Sequence, residues 1–214
     1  MVTVSVLCPS RGRPDLLAAS LRSLGADDPA VEVWVAADDD DPGTVDVALS
    51  YAATVIVSPR RGYHRLHGYY NSMAAQAAGD WLLLWNDDAQ MITDGWVGLL
   101  TAVPDGMLVA DLRSQLSPGL CCFPAVRREA VRAVGGFSPH TPHCDTYWQD
   151  MGRALGRIQA VPIDVHHDRY DLTGNNADRT WQEGQSGYRS SEYYSPPIQA
   201  AIAADIRILE TLYE

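Results

Sequence analysis

The stretch WLLLWNDD, residues 81–88, runs five apolar residues straight into an asparagine and two aspartates. A short, continuous apolar run bounded by turn residues reads as a strand covered on both faces, and therefore as the centre of a sheet. Two neighbouring carboxylates at the mouth of such a strand repel each other and resist losing water. Something positive is expected beside them.

Working outward, the first half of the chain alternates short apolar runs with helical patterns. VTVSVLC (2–8), VEVWVAA (31–37) and TVIV (54–57) read as strands that precede the one at 81–85. Pro14 opens a helix with Leu16, Leu17, Leu21 and Leu24 on one face, and HGYYNSMAAQAAGD (67–80) supplies another. This alternation predicts an α/β domain with a mostly parallel central sheet and helices on both faces. In such sheets ligands bind beyond the carboxyl ends of the strands. Those ends carry Pro9, Ser10 and Arg11, then Asp38 to Asp41, Arg60 and Arg61, and finally Asn86, Asp87 and Asp88.

The second half is less regular. Strands are expected at 107–112, 120–123 and 158–167, and helices at 127–134 and 146–155. Residues 168–196 are polar and rich in Gly, Asn, Ser and Tyr, which predicts a mobile loop. Ile198, Ile202, Ile206, Leu209 and Tyr213 then fall on one face of a terminal helix.

At 214 residues the chain fits a single domain. The division expected is a nucleotide-binding half over 1–112, an acceptor half over 113–168, and a flexible loop with a helix over 169–214. The net charge of −11 argues against non-specific nucleic-acid binding, and all 16 basic residues are arginine. Four cysteines without a secretory leader suit a reducing cytoplasm, and no apolar run reaches membrane-spanning length.

The order CPSRGRP after the first strand, an Asp run after the second, NDD after the fourth, then VRREAVRAVGGF and a downstream Asp resembles the family 2 glycosyltransferases of the GT-A fold, and the small size resembles their compact phage-type members. That resemblance implies a Rossmann-like GT-A domain and a metal-dependent transfer of sugar, with inversion, from a nucleotide-diphosphate sugar to a hydroxyl. The cofactor implied is Mn²⁺ or Mg²⁺ and the donor most in keeping is a UDP-sugar. It implies donor contacts at Pro9, Ser10 and Arg11, with Asp38 or Asp39 on the base, and at Arg61, Asn71, Asn86 and Asp87. Asp88 would ligate the cation together with His166 or His167, of which His166 is the choice, as Asp39 is on the nucleoside, and Asp145 would be the catalytic base. Asn86 stands where the family's DXD motif has its first Asp, and Cys144 where a Glu commonly precedes the acceptor-side acid.

Plainer readings exist for each position. NDD alone is a solvated turn, Asp145 a helix N-cap, and the His pair ordinary strand-end residues. Asp150 is the second choice for the base. A zinc site built on His140, His143 and Cys144 lacks the usual cysteine spacing. Rival functions are a sugar-phosphate nucleotidyltransferase, whose Gly-rich phosphate loop is missing, and a non-catalytic nucleotide or carbohydrate binder. The acceptor is open between a glycan, a small molecule and a hydroxymethylated base in DNA, the last motivated by the arginine-rich stretches at 60–65 and 127–132, Arg127 and Arg128 among them.

Overall fold

The computed structural model describes residues 3–25, 28–187 and 190–214. Eight strands form one sheet: β1 (Val4–Pro9), β2 (Val31–Asp38), β3 (Thr54–Ser58), β4 (Trp81–Leu84), β5 (Ala89–Met91), β6 (Val109–Arg113), β7 (Phe123–Arg127) and β8 (Ile158–His167). Their order is β3-β2-β1-β4-β7-β6-β8-β5. The run β3-β2-β1-β4 is parallel throughout, which places the ends of β1, β2 and β4 on one rim. Beyond it β7 runs antiparallel between β4 and β6, β8 returns parallel to β6, and β5 pairs antiparallel with β8.

Helices cover both faces, as apolar strand residues on both sides require. Against one face pack α1 (Pro14–Ser23), α2 (Pro42–Ser50) and α4 (Trp96–Thr101), through Leu17, Leu21, Ala48, Trp96 and Leu100. On the other lie α3 (Leu66–Ala74), α5 (Arg128–Ala133), α6 (Cys144–Ala154) and α10 (Pro196–Tyr213), through Tyr70, Met73, Val131, Trp148, Ile202 and Leu209. All four residues of β4 are buried, and it sits mid-sheet where its apolar run predicts.

The expected loop after residue 168 is instead three short helices, α7 (Tyr170–Thr173), α8 (Arg179–Gly187) and α9 (Ser190–Tyr193). Asp178 starts α8 by accepting the Trp181 amide N–H at 2.9 Å, the action of an N-cap. The ring of Tyr170 meets Trp181 edge-on at 4.6 Å. Low hydrophobicity hid these elements because they are stabilised by docking on the cleft rather than by a broad apolar stripe. Two further differences are the strand expected at 120–123, which begins at its last residue, and β5, too short to leave a periodic signature. The four cysteines are free and buried.

Candidate active site

A cleft of about 380 Å³ opens over the carboxyl ends of β1, β2 and β4. At one end Asp38, the last residue of β2, is 3% exposed and lies between Tyr69 of α3, whose hydroxyl it accepts, and Arg11, at 2.8 Å. Burial, and then the charge of Asp38, push the Tyr69 phenol up to about 12, so it stays a neutral donor. Arg11 also grips Asp40. Asp41 caps α2 and accepts the Gly12 amide at 2.7 Å. Asp39 is exposed and does not line the cleft, so of the two base-contacting candidates the structure brings only Asp38 there.

In the middle, Asp87 and Asp88 are both buried. Ser10 donates to Asp87 at 2.8 Å, and His167 Nε2 stands 3.1 Å from Asp88 Oδ1. The positive partner that the acids require is Arg13, whose Nη1 lies 3.1 Å from Asp87 and 3.3 Å from Asp88. Burial and the neighbouring charge of Asp88 push Asp87 up to about 6, against the pull of Arg13 and Ser10. Burial also opposes ionisation of Asp88, but His167 and Arg13 outweigh it and hold that carboxyl below the usual range. Asp87 is therefore the one that takes a proton first.

His166 and His167 part company because side chains alternate along a strand. Val161, Ile163, Val165 and His167 are buried, whereas Asp164 and His166 are exposed. His166 meets Gln115 at 3.1 Å outside the cleft, and His167 packs edge-on against Phe123 at 5.0 Å. The ligand role expected for His166 is corrected accordingly. Asn71 and Arg61 are also displaced from the roles expected of them. Asn71 clamps the backbone of Ser138, donating at 3.0 Å and accepting at 2.8 Å, and Arg61 lies over the Tyr69 ring rather than in the cleft. Pro9, Ser10, Arg11, Asn86 and Asp87 do line it.

Asp145 lies in the first turn of α6 and lines the same cleft. Burial raises its pKa, partly offset by hydrogen bonds from Thr146. The Cys144 thiol is pushed up by burial and stays protonated, so it supplies no second acid.

Several cleft residues were not singled out from sequence. Tyr63 sits deep in it, its phenol pushed up to about 12 by burial and by the charges of Asp88 and Asp145. Helix α8 closes one side: Gly184 lies on the Tyr63 ring, where a Cβ would come within 3.2 Å. Thr180 bonds the Arg11 carbonyl at 3.0 Å, and Glu183 takes the Tyr63 amide and Arg60. Arg13 was legible only as the second arginine of SRGRP, with nothing in its spacing to separate it from Arg11.

The donor set fits a divalent cation. Asp88 Oδ1 and His167 Nε2 are 3.1 Å apart, close to the ~3 Å between adjacent ligands of an octahedron with bonds of about 2.1 Å. The imidazole Nδ1 is buried without a partner in the described residues. Among those residues no group of three or more His, Cys, Asp or Glu side chains forms a closed cage. Cations of this class commonly take one or two protein ligands and complete their shell with phosphates and water.

A sheet of this order, with acids and a histidine on its carboxyl rim, has the layout of the GT-A fold. Residues 5–107, just under half of the chain, match the family described as Glycosyl transferase family 2. The fold of the chain is similar to that of a mannosyltransferase from Pyrobaculum calidifontis in complex with GDP-Man and Mn²⁺, at TM-score 0.61 and 12% identity over 97% of this chain and 74% of that one. Glucosyl-3-phosphoglycerate synthase from Mycobacterium tuberculosis in complex with Mg²⁺ and UDP matches at TM-score 0.64 and 16% identity, over 96% and 79% of the two chains. S. aureus TarS matches at TM-score 0.59 and 13% identity, over 92% of this chain and 46% of its own. At these identities the likeness is one of fold. No curated protein matches the sequence.

Proposed function

We propose that the chain transfers a sugar, with inversion, from a nucleoside-diphosphate sugar to a hydroxyl acceptor, with Mn²⁺ or Mg²⁺ as cofactor. The observation that carries this reading is the pairing of Asp88 with His167 in the cleft that also holds Asp38 and Asp145. Asp38, Arg11 and Tyr69 offer the nucleoside end a carboxylate acceptor beside an aromatic ring. Pro9 and Ser10 form the adjoining wall.

Asp88 and His167 would hold the cation, which supplies stabilisation of the negative charge that grows on the diphosphate. An imidazole in the set favours Mn²⁺ over the more strictly oxygen-seeking Mg²⁺. Asp145 takes the proton of the acceptor hydroxyl as its oxygen bonds to the anomeric carbon. The bond from that carbon to the phosphate oxygen breaks on the opposite face, and its electron pair leaves with the nucleoside diphosphate. The pKa of Asp145, raised by burial, makes it a stronger base than an ordinary aspartate. Helix α8 and Tyr63 keep water from the reacting carbon.

A glycan or a small molecule is the acceptor class this reading keeps. Arg127 and Arg128 do not argue for DNA, because they lie beside Trp81 and Asp80 at the start of β4, a strand's length from the acids. The test is calorimetric titration of UDP, GDP and dTDP with and without Mn²⁺, on wild type and Asp88→Ala. Metal-dependent binding of one nucleotide, lost in the variant, is expected. No binding under any condition would overturn the reading, and binding without turnover of any sugar donor would leave a binding domain.

A further inference from the structure

Arg13 is bound on three sides. Its Nη1 reaches Asp87 and Asp88 at 3.1 and 3.3 Å, while Nε and Nη2 form a two-pronged contact with Asp178 at 2.6 and 2.8 Å. A forked guanidinium–carboxylate pair fixes direction as well as distance, which a lysine ammonium does not. The side chain is only 8% exposed, so these contacts act with little screening by water. Its backbone is held as well, at the N-cap of α1 directly before Pro14.

These contacts leave one guanidinium N–H uncommitted, so Arg13 acts through the acids rather than on a substrate. Asp178 in turn is the residue that starts α8. Two further ties of α8, Thr180 to the Arg11 carbonyl and Glu183 to Arg60 and the Tyr63 amide, end away from the acids. We propose that Arg13 is a positioning residue. It sets Asp87 and Asp88 side by side and locks that pair to α8 through Asp178, so that the cation end of the cleft and its covering helix form one linked unit. This rests on the assignment of Asp88 and His167 to the cation given above.

Linkage of this kind is reciprocal: what stabilises the acid pair stabilises the docked helix, and the reverse. Two measurements on the full chain test it. In the first, UDP and GDP are titrated with and without Mn²⁺ on wild type, Arg13→Lys and Asp178→Asn. The gain in affinity conferred by Mn²⁺ is expected to fall about 10–100-fold, as when a supporting partner of a metal ligand is lost. The metal-free affinity should not fall with it, and an equal loss of both would mark a general disturbance and overturn the proposal.

The second measurement uses no ligand. Hydrogen exchange across residues 178–187 is compared in wild type, Asp88→Asn and His167→Ala. Asp88→Asn is expected to speed exchange on the order of tenfold, the scale of one charge-assisted hydrogen bond. His167→Ala removes the other side-chain partner of Asp88, spares Arg13, and should leave this segment as protected as before. Unchanged exchange in Asp88→Asn, or equal change in both variants, would overturn the link. A wild type that binds no nucleotide would sink the donor-site reading, and the exchange result would still decide the role of Arg13.

Discussion

His167 Nε2 stands 3.1 Å from Asp88 Oδ1, at the point where the end of β8 reaches the loop that follows β4. The neighbouring His166 faces the opposite way, towards Gln115. The two histidines therefore make a built-in comparison. Mn²⁺-dependent nucleotide binding should weaken at least about tenfold in His167→Ala, the lower end of what loss of one contact at a metal site costs. In His166→Ala it should stay within about twofold. Calorimetry on the two variants reads this directly, and equal losses would remove His167 from the cation site.

A similar contrast lies at the nucleoside end. Asp38 is buried between Tyr69 and Arg11, while Asp39 is exposed. A hydrogen bond to a charged group contributes about 1.5–3 kcal/mol, equivalent to roughly 10–150-fold in affinity. Asp38→Asn should weaken nucleotide binding on that scale, and Asp39→Asn should leave it unchanged. Competition of unlabelled nucleotide against a fluorescent analogue gives both numbers. Loss on Asp39→Asn alone would reverse the assignment.

The parallel half of the fold was legible because each of its strands is a continuous apolar run ended by polar residues, as WLLLW before Asn86 illustrates. The site was legible as a set of strand ends, which is why Ser10, Asp38, Asp87 and Asp88 meet in one cleft. What stayed hidden depends on which way a side chain points. Alternation along a strand puts His166 and His167 on opposite faces, but only the pairing of β5 with β8 reveals which face turns toward Asp88. Arg13, Tyr63 and α8 were hidden for another reason. Their positions come from contacts between segments far apart in the chain, such as Arg13 with Asp178, and these leave no local pattern.

Beneath the site, the Trp85 indole N–H donates to Ser20 of α1 at 2.7 Å, and Ser20 in turn reaches the Asn86 carbonyl at 3.4 Å. Trp85 and Ser20 are both fully buried. Ser20→Ala strands the indole N–H away from water and should cost about 1–3 kcal/mol. Urea denaturation should show a lower midpoint with an unchanged slope, the sign of a native state that is weaker and equally compact. A midpoint equal to wild type would mean that the indole finds another partner.

As the proposed base, Asp145 should set the acid limb of the pH profile. A general base works as its carboxylate, so the rate falls as pH drops through its pKa. Burial raises that pKa, and the loss should therefore begin above the range of an ordinary aspartate, near 3.9. Asp145→Asn removes the base while keeping the shape of the residue, and should lower kcat by about 10²–10⁴-fold. Because Asp145 belongs to α6 rather than to the strand ends that face the nucleotide, Mn²⁺-dependent nucleotide affinity should be little altered. The cation site also holds titrating acids, so the decisive comparison is the residual rate of the variant against pH. If Asp145 is the base, that residual rate loses the limb seen in wild type. A limb retained unchanged in Asp145→Asn would transfer it to another group, with Asp150, which accepts from Tyr193 at 2.8 Å, as the next acid to replace.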